Sequence, residues 1–172
     1  MGTTANVLVG DVTVTLARIA AEDPGGLQTA GLLPITGFYT MDGVNLNIRS
    51  SFADIKVEEN VGTVIRKLTD QEVSVTMNIA EGSLKNLVAA VAGSSINVGG
   101  TIVTIGGGAL QGFQMTLVGT APSAGVRTIV LTRVQPTGEV GIPYKKGEVS
   151  IIPVTFSCIV ADTGIFGTIT DS

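Results

Sequence analysis

The sequence predicts a mainly β (α+β) fold, an antiparallel β-sandwich or barrel with one short flanking helix at about 82–92. Three observations lead there. Hydrophobic residues make up 44% of the 172 positions and charged residues 14%, with 23 glycines to serve turns. Apolar and polar residues alternate with period two along most of the chain. One stretch alone switches to a period of three to four.

Taken in order, residues 11–17 (DVTVTLA) alternate and are expected to form a strand. Residues 22–37 (EDPGGLQTAGLLPITG) are rich in Gly and Pro and read as an extended connection. In GFYTMDGVNLNI, Asp42-Gly43 suits a two-residue type I′ hairpin turn. A long paired unit follows: SFADIKVEENVGTVIRKL rises, TDQ turns and EVSVTMNIA returns. On the returning strand Val73, Val75, Met77 and Ile79 share one face, while Glu72, Ser74, Thr76 and Asn78 share the other. On the rising strand Asp54, Lys56, Glu58 and Asn60 oppose Ile55 and Val57, and the alternation slips near Glu59–Gly62, as at a bulge or a flexible loop. One greasy and one wet face per strand is the pattern of an antiparallel sheet with water on one side.

The helical stretch carries Leu84, Leu87, Val88 and Val91 at i, i+3, i+4 and i+7. Glu81 and Ser83 stand where the first free N–H groups need oxygens, and Gly93 where a left-handed residue ends a helix. So short a helix is marginal alone and needs a sheet to pack on. Beyond it, INVGGTIVTI reads as a hairpin around Gly99-Gly100. GGGALQG reads as a surface turn, without the Gly-Lys-Ser/Thr of a phosphate loop. Further strands are expected at 113–119, 126–135 and 147–161. Pro153 in the last implies an edge, a strand start or a bulge, Lys145-Lys146 a solvated turn, and the tail DTGIFGTITDS a short strand or a docking segment.

Composition narrows the chemistry. No histidine is present, which removes Ser-His-Asp and Cys-His arrangements and His-ligated zinc. Cys158 is the sole cysteine, so no intrachain disulfide or cysteine metal cluster can form. That absence suggests folding in a reducing compartment, and the flanks TFSCIVA read as a buried strand with an inert core thiol. A net charge of −4 argues against a phosphate-neutralising nucleic-acid surface. The first residues lack the basic region of a signal peptide and the Ser or Thr of a myristoylation site, and no apolar run is long enough to span a bilayer. Neither catalysis, cofactor nor metal is expected. Glu81 is read as a capping residue rather than a catalytic acid.

The run TMDGVNLNIRSSFADIKVEENVGTVIRKLTDQEVSVTMNIAEGSLKNLVAAVAG, with the later VRTIVLTRVQPTGEVGIPYKKGEVSIIPVTFSCIVADTG, resembles the major tail tube proteins of tailed bacteriophages. What matches is the order of elements over residues 40–165: a long hairpin, a strand ending in a Glu that opens one short helix, then paired strands closing on an apolar one. The resemblance implies a single tail-tube-like domain over 1–172, with an extended N-terminal arm over 1–40 and an inter-ring loop over 59–71. It implies hexameric rings stacked into a tube, a virion component assembled in the host cytoplasm. Implied partners are copies of itself and the tape-measure, tail-terminator and baseplate or tip proteins. Double-stranded DNA would pass through without specific binding, and no membrane is involved.

About 24 strands at ~4.8 Å spacing close a ring of ~115 Å circumference and ~37 Å backbone diameter, which admits a duplex ~20 Å wide. Six copies at −4 give roughly −24 per ring, a wall that does not hold phosphates. Asp54, Lys56, Glu58, Asn60, Ser74, Thr76 and Asn78 are expected to face the lumen. Arg66, Lys67, Asp70 and Glu72 are expected to make the inter-ring contact, and Leu84, Leu87, Val88 and Val91 to pack the helix. The alternative is a monomeric β-barrel that binds a small ligand or decorates a capsid. An enzyme is a third reading, which would require ionisable groups converging in a pocket.

Overall fold

A strand survives in water when one of its faces finds a partner, and residues 73–79 show how this chain arranges it. The computed structural model describes residues 12–19, 31, 33–36, 40–56, 65–80, 82–121, 125–143, 151–160 and 163–172. The strands are β1 (Thr13–Arg18), β2 (Ile35–Thr36), β3 (Thr40–Ile55), β4 (Ile65–Ile79), β5 (Ser95–Ile96), β6 (Val103–Thr104), β7 (Phe113–Thr120), β8 (Val126–Thr137), β9 (Ile152–Cys158) and β10 (Gly167–Asp171). The helix, α1, is Leu84–Ala90. Eight strands form one curled antiparallel sheet, a half-barrel, in the order β2-β1-β7-β8-β9-β4-β3, with β10 also paired to β8; β5 and β6 form a separate hairpin. The fold is mainly β with one short helix, as expected, although its layers come from one sheet curling rather than from two stacked sheets.

Alternation sorts the body of this sheet. Val73, Val75, Met77 and Ile79 are buried, and so are Val14, Leu16, Met115, Val154 and Phe156 from neighbouring strands. At about 25 cal/mol per Å² of apolar surface, this shared inner face is what holds the strands together. Cys158 belongs to it, and burial pushes its thiol up to about 11, so it remains protonated near neutrality.

Several local expectations are corrected. Asp42-Gly43 does not reverse the chain. β3 runs through it, and the register with β4 jumps between Met41 and Val44, a bulge that Gly43 makes possible with φ +80°. TDQ at 69–71 is not a turn either, because β4 already begins at Ile65. Its broken alternation marks a second bulge: Ser51 pairs with Asp70 but Phe52 with Leu68, leaving Thr69 as the extra residue, its hydroxyl donating to the Ser51 carbonyl at 3.1 Å. Within the segment expected as an arm, Thr13–Arg18 is an inner strand between β2 and β7, with Val14 and Leu16 fully buried. Pro153 sits near the start of β9, opposite Asn78 and beyond the reach of the β8 pairing, where its missing N–H costs nothing on that side.

The helix is shorter than expected and turned differently. Leu84 is 37% exposed, Leu87 and Val91 are half-buried, and the buried set is Asn86, Val88, Ala89 and Ala90. With Ala89 and Ala90 buried beside Val88, its contact face is broader than the Leu/Val stripe. Ser83 occupies the N-cap but makes no side-chain capping bond, and Glu81 lies outside the described residues. The C-terminal end is held from a distance. Buried Gln111 accepts a hydrogen bond from the Gly93 N–H at 3.0 Å and donates to the carbonyls of Ser94 at 2.6 Å and Val91 at 3.2 Å. The Val91 carbonyl at the C-cap also accepts from the Ser94 hydroxyl at 2.7 Å, so the turn after the helix is fastened from both sides.

Strand β10 is attached differently. Its side chains are largely exposed, so backbone pairing with β8 and a two-pronged ion pair hold it: Arg127 Nε and Nη2 each donate to an Asp171 carboxylate oxygen at 2.6 Å. This pair keeps Asp171 below the usual carboxylate range.

Two predictions follow from these clips. Gln111→Ala takes the side-chain acceptor from the Gly93 N–H and the side-chain donor from the Ser94 carbonyl, and is expected to lower unfolding free energy by ~1–3 kcal/mol, read from the denaturant midpoint. For Asp171 the depressed carboxyl means its contribution is full above the unfolded aspartate value of ~3.9 and lost as pH falls further. Hydrogen exchange of β10 is therefore expected to accelerate relative to β4 below that value, and Asp171→Asn to remove the relative pH dependence.

Candidate assembly surfaces

The outer face of the sheet is built by the residues that alternate with the core. Ser74, Thr76 and Asn78 point away from Val75 and Met77 and are half-buried. In register beside them stand Asn47 and Asn45 of β3 on one side, and Ser157, Thr155 and Pro153 of β9 on the other. Gln135 and Thr137 of β8 continue the rows, opposite Ser157 and Thr155. The result is a band of amides and hydroxyls across four strands, with no charged side chain in these rows. A shallow depression of about 340 Å³ lies along it, lined by Asn45, Thr76, Asn78 and Thr155 among others.

The row expected to include Asp54 and Lys56 does not hold together. Asp54 stands opposite Arg66, on the side of the ribbon shared with Val44, Leu46, Ile48 and Phe52, which is the core side in the body of the sheet. It therefore lies on the face opposite Ser74, Thr76 and Asn78. Counting polar residues in the distal half assigned it wrongly, because that half is exposed on both faces and alternation there sorts nothing. Lys56 follows the end of β3 and is exposed, while Glu58 and Asn60 lie outside the described residues.

The distal hairpin, 48–56 with 65–72, concentrates charge and exposed apolar surface together. Arg66 makes a bidentate pair with Asp54, at 2.7 and 3.1 Å, and lies 6.0 Å from the Phe52 ring centroid. The hydrogen bond and charge of Asp54 raise the Arg66 pKa, but in open solvent such a pair adds little stability. Lys67 and Asp70 are exposed, and Glu72 faces Arg49 across the ladder. Arg66, Lys67, Asp70 and Glu72 thus belong to a strand rather than to a loop over 59–71; of that span, 59–64 lies outside the described residues. Phe52 is 57% exposed and Ile48 55%, with Ile55, Ile65 and Leu68 similarly open. Sequence reading missed this apolar element, although its residues were visible as the non-alternating part of the ribbon.

Where β3 and β4 pass β10, the curled sheet stays open. An apolar groove of about 270 Å³ runs between Leu46, Ile48 and Val73 on one wall and Leu131, Ile165 and Ile169 on the other. Among the described residues no three His, Cys, Asp or Glu side chains gather as a metal site, and no helix is long and apolar enough to cross a membrane.

No family model matches the sequence, and no curated protein matches it. Among solved structures, the chain is similar to one in the "Cryo-EM structure of the anti-feeding prophage (AFP) baseplate, 6-fold symmetrised", at 11% identity over 100% of this chain and 97% of that one, with a TM-score of 0.49. A likeness of that degree carries no weight for function.

Proposed function

We propose that this chain is a virion structural protein whose copies close into hexameric rings and stack as a phage tail tube, with no catalytic role. The observation that carries this reading is the two-sidedness of the β3-β4-β9-β8 region. One face is core, the other a continuous uncharged band of Asn45, Asn47, Ser74, Thr76, Asn78, Thr155 and Ser157. Joined side by side, such sheets give a hollow cylinder with a wet bore. Amides and hydroxyls offer a sliding polyanion neither counterion release nor repulsion, so DNA would pass without being held. The bore rows are thus more neutral than the faintly anionic wall the sequence suggested. The sequence resemblance over 40–165 supports the same assignment.

The distal hairpin provides the second support. Its exposed Phe52, Leu68 and Ile65 form too much apolar surface for a ribbon standing in water, and they suit a contact with the next ring. In this reading Arg66, Lys67, Asp70 and Glu72 frame that contact and set its register. Tape-measure, terminator and baseplate or tip proteins would meet the tube at its bore and its ends.

Negative-stain microscopy of the purified chain tests the assignment: rings or tubes are expected, and a homogeneous monomer at high concentration would refute it. Phe52→Asp with Leu68→Asp alters exposed positions only. It is expected to preserve the fold by circular dichroism while shortening tubes to single rings or losing them.

A further inference from the structure

From Asn86 through Val126 the sequence contains no Asp, Glu, Lys or Arg. Much of that span is interior, yet the β5–β6 hairpin and the loop after it are not. Ile105 is 75% exposed and Val98 73%, with Ile102 and Leu110 also open to solvent. A surface segment that is apolar and wholly without charge is what an interface centre looks like before its partner is added, since interface cores are depleted in charged residues. Asn97 holds the hairpin in shape: its side-chain oxygen accepts from the Thr101 and Ile102 N–H groups at 2.8 and 2.9 Å. The segment is therefore presented on a built support.

The same chain carries an apolar groove. The groove between Leu46, Ile48 and Val73 and the β10 segment at Ile165 and Ile169 is about 270 Å³ and continuous with the core. An apolar cavity of roughly 150 Å³ holds a benzene, so this groove has room for aliphatic side chains the size of isoleucine. The two patches belong to different regions: β5 and β6 pair with each other and β5 lies against α1, whereas the groove is walled by β3, β4, β8 and β10.

We infer that the uncharged β5–β6 segment of one copy, led by Ile102 and Ile105, seats in the β3/β4–β10 groove of the next copy. The contact is heterologous, because two different patches meet, and so it repeats from copy to copy; in the tube reading its rotation closes a ring. One step covers both exposed apolar surfaces. The inference rests on the tube reading and adds to it the pair of surfaces through which neighbours join.

Engineered cysteines test the contact in the full chain. Buried Cys158, with its raised thiol pKa, is a poor competitor, so Ile105→Cys combined with Ile165→Cys provides the reactive pair. Both positions are exposed, which protects folding. With oxidised glutathione, a ladder of covalent multimers on a non-reducing gel is expected for the double variant and not for either single variant. Ile105→Glu places a charge in an apolar contact and is expected to cut the assembled fraction on the order of tenfold or more. Rings or tubes whose double variant stays monomeric on the gel would overturn this contact while leaving the tube reading intact. Should the unsubstituted chain form neither rings nor tubes, the tube reading fails; the gel then decides the contact alone, a ladder supporting it and a monomer band refuting it.

Discussion

Burial of alternate side chains on one face of a single curled sheet is the constraint that organises this molecule. Val75, Ile79, Phe113, Val134 and Phe156 are fully buried there although they come from four strands spread along the chain. Pleating then leaves their sequence neighbours no choice but the opposite face. The amide and hydroxyl band of Ser74, Thr76, Asn78, Thr155 and Ser157 is thus a geometric consequence of the core, and any slip of one residue would exchange the two.

Curvature also decides what remains uncovered. Helix α1 closes one region of the core with Val88, Ala89 and Ala90, tied down through Gln111 to the stretch that leads into β7. Near β10 no second helix does the same among the described residues, and apolar side chains line an open groove. Among the described residues this border of the eight-stranded sheet is left without an apolar cover. Kin are the economical cover, which ties the proposed assembly to the shape of a single copy.

What could be read from sequence followed the same physics. Alternation over 73–79 located the buried and wet faces correctly because one side there is dry and selection for apolar residues is strict. The single helix, the Gly99-Gly100 hairpin and the strands at β7, β8 and β9 were legible for similar reasons. Alternation misled where both faces meet water: Asp54 looked like a continuation of the wet row, and Thr69–Gln71 looked like a turn. Asp42-Gly43 misled because a glycine with positive φ serves a bulge as well as a hairpin. Asn86 on the buried side of α1 defied the apolar stripe, which is narrower than the helix's contact face. The groove was invisible because it is made by β10 returning to β8 beside a distant hairpin, a juxtaposition no local pattern encodes.

The bulge at Thr69 has an evolutionary corollary. One supernumerary residue there flips which side of the ribbon Leu68 and Arg66 occupy relative to the body of β4. Losing or regaining that residue would turn over one strand of the protruding finger while the core, several pairs away, kept its packing. Single-codon insertions or deletions at this spot are therefore a simple way for related chains to diversify the finger's chemistry without redesigning the domain that carries it.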